Sequence, residues 1–128
     1  MRPFRKKRRP GNRPMTGAEA AHVMACKAGP CMPCLARHLQ GKLRDHQIQT
    51  GGNEYDHKKS GNIRRGHMFG FASCPWHHRR ITLEGVTFPD MLATYGPSLL
   101  DGSRTFRECY GTDDELIELQ AESLEART

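Results

Sequence analysis

Cys74-Pro75-Trp76-His77-His78 packs three metal-ligand side chains and a helix-starting proline into five residues, and the fold of the chain turns on how this stretch is read. A proline in the first turn of a helix is pre-organised for it, because its missing N–H is not needed there. Read as the mouth of a short helix, the stretch lets Cys74 and His77 close a C-x2-H half-site, while His78, one position on, points about 100° away. Adjacent histidines on a helix do not easily serve one ion. His77 and His78 are therefore expected to serve two metals, or one metal and one substrate phosphate. The alternative is a pair of surface histidines on a basic turn.

The other half-site lies upstream. Gly29-Pro30-Cys31-Met32-Pro33-Cys34 is a knuckle, in which Gly and Pro force a tight turn that brings two thiolates onto one ion. Cys31, Cys34, Cys74 and His77 together make the ligand inventory of a closed tetrahedral zinc site. Cys26 stands five residues before Cys31, either as a substitute ligand or as a half-buried free thiol. The span between the halves is too long for a simple finger, so the zinc would clamp a β-hairpin that begins near Asp56 onto the helix. Such a staple suits the composition. In 128 residues, hydrophobic side chains make up 36% and aromatics 7%, thin for a self-supporting core, and the length fits one domain. The net charge of +6 favours a polyanionic partner such as nucleic acid. No run is apolar enough for a membrane span or a secretion signal, which points to a reducing cytoplasm, where C-x2-C spacings bind metal more often than they form disulfides.

Residues 1–14 carry seven Lys or Arg, three prolines and no acid, so residues 1–15 are predicted to be a disordered basic arm. Within it Arg5, Lys6, Lys7, Arg8 and Arg9 are candidate phosphate contacts, the alternative being a solubilising tail. Thr16-Gly17-Ala18-Glu19 has the form of a capping box and predicts a helix from about Gly17 to Cys26. The polar stretch from Leu35 reads as a loop up to the Gly51-Gly52-Asn53 turn. Glu54-Tyr55-Asp56-His57 reads as a short strand, Lys58 to Arg65 as a basic loop, and residues 66–73 as a second strand feeding the helix. Lys58, Lys59, Arg64 and Arg65 in that loop are further candidate phosphate contacts. Residues 80–98 read as a poorly patterned connection. Two helices follow, one from Asp101 to Tyr110 and one opened by a capping box at Thr112-Asp113-Asp114-Glu115.

The zinc clamp would bring Asp56 and His57 towards His78. That set suits hydrolysis of a phosphodiester, with Asp56 and His78 holding a divalent ion, Mg²⁺ or Mn²⁺, and His57 deprotonating water. Taken alone, Asp56-His57 reads as an exposed pair at a strand end.

The runs EYDHKKSGN, GHMFGFASCPWHHR and YGPSLLDGSRTFRECYGTDDELI, spread over about residues 23–120, resemble the phage recombination-enhancement (Ref-type) RecA-dependent nucleases, a branch of the HNH, or His-Me finger, endonucleases. The resemblance implies His57 as general base, Asp56 and His78 as catalytic metal ligands, and a role for His67 in orienting the water or touching the phosphate. It also implies a basic N-terminal arm, DNA as substrate, a RecA filament as partner, and action in the cytoplasm of a bacterial host of a phage or prophage. Two positions depart from the family pattern: Asp56-His57 stands where many relatives carry two histidines, and Leu100 stands where relatives often carry a histidine. The expected fold is α+β, a small zinc-stapled ββα-metal (HNH) core with flanking helices and the disordered arm. Residues 16–128 would form the nuclease domain, with the zinc knuckle at 26–34, the ββα core at about 54–80 and the C-terminal helices at about 101–125. A non-catalytic zinc-stabilised DNA-binding module is the competing expectation. The zinc ligands and basic arm suffice for it, whereas Asp56, His57 and His78 are not needed.

Overall fold

The computed structural model describes residues 14–57, 59–60, 63–64 and 69–127, with the side chains at 57, 59–60 and 63–64 left undescribed. Among the described residues there are six α-helices and two short antiparallel strand pairs, in the order α1 (Gly17–Ala28), α2 (Met32–Leu39), β1 (Glu54–His57), β2 (Lys59–Ser60), β3 (Ile63–Arg64), β4 (Gly70–Ser73), α3 (Pro75–Arg79), α4 (Phe88–Tyr95), α5 (Ser103–Tyr110) and α6 (Asp113–Ala126). The architecture is a small α+β fold. No helix among the described residues is long and apolar enough to cross a membrane.

The ribbon that carries the site is β1 against β4, with Asp56 opposite Phe71 and His57 opposite Gly70. Successive side chains of a strand point to opposite faces. Tyr55 and Ala72 accordingly pack with Val23 and Cys26 of α1, while Phe71 joins Met32, Phe106 and Leu116 on another side. Glu54 and Asp56, two apart, turn together towards α3. Gly70 makes this ribbon possible: a Cβ there would lie 2.5 Å from the Asp56 carbonyl oxygen and 2.6 Å from the Tyr55 ring. At the outer edge of β4, α6 supplies Gln120, whose Oε1 accepts from the Ala72 N–H at 3.2 Å and stands in for a further strand.

Both capping boxes form. Thr16 Oγ1 accepts from Glu19 N at 3.1 Å and Thr112 Oγ1 from Glu115 N at 3.2 Å, with each glutamate reaching back to the threonine N–H.

Two expectations are corrected. The stretch after Leu35 is not loop throughout, because the knuckle itself opens α2: Pro33 occupies the first turn, and the helix runs to Leu39 with Cys34 and Ala36 on its buried side. Residues 80–98 likewise contain α4, capped by Thr87 Oγ1 accepting from Asp90 N at 3.3 Å, with Pro89 in the first turn. Of the second strand, expected over residues 66–73, Gly70–Ser73 is present, and residues 66–68 lie outside the described residues.

Candidate functional site

Three segments converge on one buried point. The loop before β1 holds the knuckle in place, with Cys31 N donating to Gln49 O at 2.8 Å and Asn53 Nδ2 to Gly29 O at 2.8 Å. This sets Cys31 and Cys34 against the start of α3. Pro75 opens that helix with Cys74 as its N-cap, and His77, one turn in, faces the same way. The metal-binding atoms of Cys31, Cys34, Cys74 and His77 all lie within 4.8 Å of one another, and all four residues are buried. His77 Nδ1 is 3.4 Å from Cys31 Sγ, 3.6 Å from Cys34 Sγ and 3.2 Å from Cys74 Sγ. Ligands about 2.0–2.3 Å from a tetrahedral ion are separated by roughly 3.5 Å, so the spacing matches.

The chemistry of the donors fits a cation too. Hydrogen bonds from Cys31 and Cys34 hold the Cys74 thiol well below the usual thiol range, while burial pushes the Cys31 thiol up. The Cys34 thiol is pushed up as well, so of the three sulfurs facing His77 Nδ1 that of Cys74 carries the thiolate character. His77 Nε2 donates to Tyr95 O at 2.8 Å, which leaves the Nδ1 lone pair free to face the sulfurs. The four residues could hold a metal ion such as zinc.

The Gly96-Pro97-Ser98 segment locks α3 from behind. Trp76 Nε1 donates to Gly96 O at 2.9 Å, Tyr110 Oη to Pro97 O at 2.6 Å and Ser98 Oγ to His77 O at 3.2 Å. Gly96 has φ 76°, and a Cβ there would meet Tyr110 Oη at 2.6 Å, so glycine is required on two counts. Past Arg79 the helix stops at Arg80, a non-glycine residue at φ 60°; its Nε pairs with Asp101 at 3.2 Å and its guanidinium lies over the Phe88 ring. Those two contacts offset a left-handed conformation that costs about 1–2 kcal/mol.

His78 leaves α3 on another side, away from the cysteines, as the one-residue offset requires. Its Nε2 lies 3.9 Å from Asp56 Oδ1, and its Nδ1 hydrogen-bonds Glu54 Oε2. Arg79 Nε reaches the same Glu54 oxygen at 2.9 Å. The structure therefore brings Asp56 and His78 together across β1 and α3. It also adds Glu54, which sequence reasoning missed; the available signal was its two-residue offset from Asp56 on a strand.

His57 closes β1, and its side chain lies outside the described residues, as do those of Lys59 and Arg64. His67, Lys58, Arg65 and the arm residues Arg5, Lys6, Lys7, Arg8 and Arg9 lie wholly outside them. Cys26 takes no part in the cluster: it sits in the last turn of α1, 3.6 Å from His22 Nε2, with burial pushing its pKa up to about 11. Leu100, in the turn Leu99–Asp101, is exposed.

A family model described as recombination enhancement, RecA-dependent nuclease, matches residues 16–125. Neither the curated proteins nor the solved structures include a match. The matched span takes in both halves of the Cys3His cluster, the β1–β4 ribbon, α3 and nearly all of α6. The chain belongs to the recombination-enhancement, RecA-dependent nuclease family, a description that carries DNA as substrate and RecA as the protein it depends on.

Proposed function

We propose that this chain is a metal-dependent DNA endonuclease of the HNH, or His-Me finger, type, with β1, β4 and α3 as its catalytic ββα unit and a structural zinc in the Cys31, Cys34, Cys74, His77 cluster. The observation that carries the reading is the 3.9 Å approach of His78 Nε2 to Asp56 Oδ1. Two ligands each about 2.1 Å from a common ion lie no more than about 4.2 Å apart, so one hard cation can be shared by this pair. A bound Mg²⁺ or Mn²⁺ would neutralise charge on the scissile phosphate and its leaving oxygen. Asp56 and His78 hold and orient that ion. His57, next to Asp56 at the end of β1, takes the proton from the attacking water, a task suited to a group that titrates near neutral pH. His67 assists by orienting the water or contacting the phosphate.

The substrate would be held by charge that ignores sequence: Arg5, Lys6, Lys7, Arg8 and Arg9 of the arm, and Lys58, Lys59, Arg64 and Arg65 of the loop. A RecA filament would present the DNA, in the cytoplasm of a bacterial host of a phage or prophage.

The test is nicking of single- and double-stranded DNA with Mg²⁺ or Mn²⁺, with and without RecA. His57→Ala is expected to lower cleavage by about 10²–10⁴-fold, the usual contribution of a positioned base, with DNA binding unchanged. Asp56→Ala and His78→Ala are expected to regain part of their activity at high Mg²⁺ or Mn²⁺, because they lose ion affinity rather than the proton acceptor. A parent protein that cuts under none of these conditions, or three variants that cut as well as the parent, would replace this reading with a non-catalytic zinc-stabilised DNA-binding module.

A further inference from the structure

The pairing of Asp56 with His78 has a third member. Glu54 stands two positions before Asp56 on β1, so the period of the strand brings both carboxylates to α3. They meet opposite edges of the same imidazole: Glu54 Oε2 bonds Nδ1, and Asp56 Oδ1 lies 3.9 Å from Nε2. With the ring between them, the two acids do not face one ion. Arg79 Nε, 2.9 Å from Glu54 Oε2, holds that carboxylate on the Nδ1 side. The Glu54 and His78 side chains are 28% and 24% exposed, which shelters the contact from full competition with water. An imidazole whose Nδ1–H is committed to a carboxylate presents its lone pair at Nε2 and becomes a more basic ligand there.

We propose that Glu54 is a positioning residue for the divalent ion. It fixes His78 in the Nδ1–H tautomer, aims Nε2 at the ion shared with Asp56 and strengthens that nitrogen as a donor. The inference rests on the nuclease reading above, which is what puts an ion between Asp56 and His78. Arg79 acts behind Glu54 by stopping the carboxylate from swinging away.

The experiment is a Mn²⁺ titration of the full-length, zinc-loaded protein without DNA, read by paramagnetic broadening of the His78 ring signals in NMR. Glu54→Ala is expected to need about 10–100-fold more Mn²⁺ for half-maximal broadening, the range over which such supporting partners act. Glu54→Gln keeps an oxygen that accepts from Nδ1 and should titrate close to the parent. In cleavage assays the same order should appear in the ion concentration for half-maximal rate, with the maximal rate of Glu54→Ala largely kept. A merely structural role would lower the melting temperature and leave the titration unmoved. If Glu54→Ala broadens at the same Mn²⁺ concentration as the parent, the positioning role is overturned while the ion site stands. If the His78 signals of the parent never broaden, the ion site and the positioning role fail together.

Discussion

His77 uses its two ring nitrogens for different tasks. Nδ1 faces three sulfurs, and Nε2 donates to the Tyr95 carbonyl with Tyr110 Oη 3.1 Å away. The Tyr110 hydroxyl lies within donor reach of the Tyr95 and Pro97 carbonyls, at 2.7 and 2.6 Å, and shares its one proton between them. Tyr110→Phe should therefore retain the metal, by elemental analysis, yet lose about 1–3 kcal/mol of stability in denaturant melts, because the half-buried Pro97 carbonyl is left short of a donor while Tyr95 O keeps His77. Cys34→Ala should be far more severe. Structural zinc contributes about 10–16 kcal/mol of apparent binding energy to small domains, against a total stability of about 5–15 kcal/mol. The variant, and the parent treated with a strong chelator, are expected to show no cooperative thermal transition; a parent purified without zinc and melting normally would refute the staple. That Cys31, Cys34, Cys74 and His77 form one group was readable because C-x2-C and C-x2-H are spacings set by chain geometry. Glu54 was not, because its two-residue offset from Asp56 acquires meaning only when a helix from twenty-odd residues later arrives beside both.

Short elements show where local signals mislead. Thr87-Phe88-Pro89-Asp90 opens α4, and the proline that reads as a breaker sits in the first turn, where helices tolerate it. Pro33 does the same in α2, so the knuckle and the helix are one object. The ribbon, the start of α3 and both capped helices were legible, since alternation, an N-terminal proline and capping boxes are all local. Gly70→Ala tests the ribbon. The added methyl must displace the Asp56 carbonyl or the Tyr55 ring. A loss of about 1–3 kcal/mol by thermal or denaturant melting is expected from such overpacking. At the start of α6, hydrogen bonding to the Thr112 N–H holds the Glu115 carboxyl below the usual carboxylate range. A depressed folded value contributes stability above the unfolded pKa, and this is lost as pH falls through the folded one. The first turn of α6 should fray on the acid side, and Glu115→Gln should flatten that dependence in amide-exchange measurements.

Across the whole molecule, charge is segregated along the chain. Residues 1–14 hold seven bases and no acid, whereas residues 101–128 hold eight acids and three bases. Sequence-independent affinity for DNA grows with the number of phosphates neutralised, and its salt dependence counts them. Deleting residues 1–14 should weaken DNA binding and flatten the plot of log affinity against log salt; an unchanged slope would reduce the arm to a passive tail. Among the described residues, three small clusters make up the interior in place of one large core: the first surrounds the cysteines, the second joins α2, α5 and α6, and the third joins α1 to the ribbon. Thin hydrophobic content made that outcome legible in kind. Which residues fall into which cluster depends on how α2 and α4 pack, and those helices are too short to announce themselves by periodicity.

The five residues of α3 are enough for little more than one turn, so its angle of roll about its own axis rests on a handful of contacts, among them those of Trp76 and His77. A side-chain tip about 6 Å from that axis travels roughly 1 Å for each 10° of roll. If His78 holds the proposed catalytic ion, a displacement of about that size can lower the cleavage rate by about 10²-fold. His77, facing three sulfurs on one side of the axis, and Trp76, bonded to the Gly96 carbonyl, together set the roll angle, and His78 on the next spoke inherits it. The Cys3His cluster is in this sense an angular detent, and the aim of His78 depends on the grip on its neighbour as well as on its own bond to Glu54.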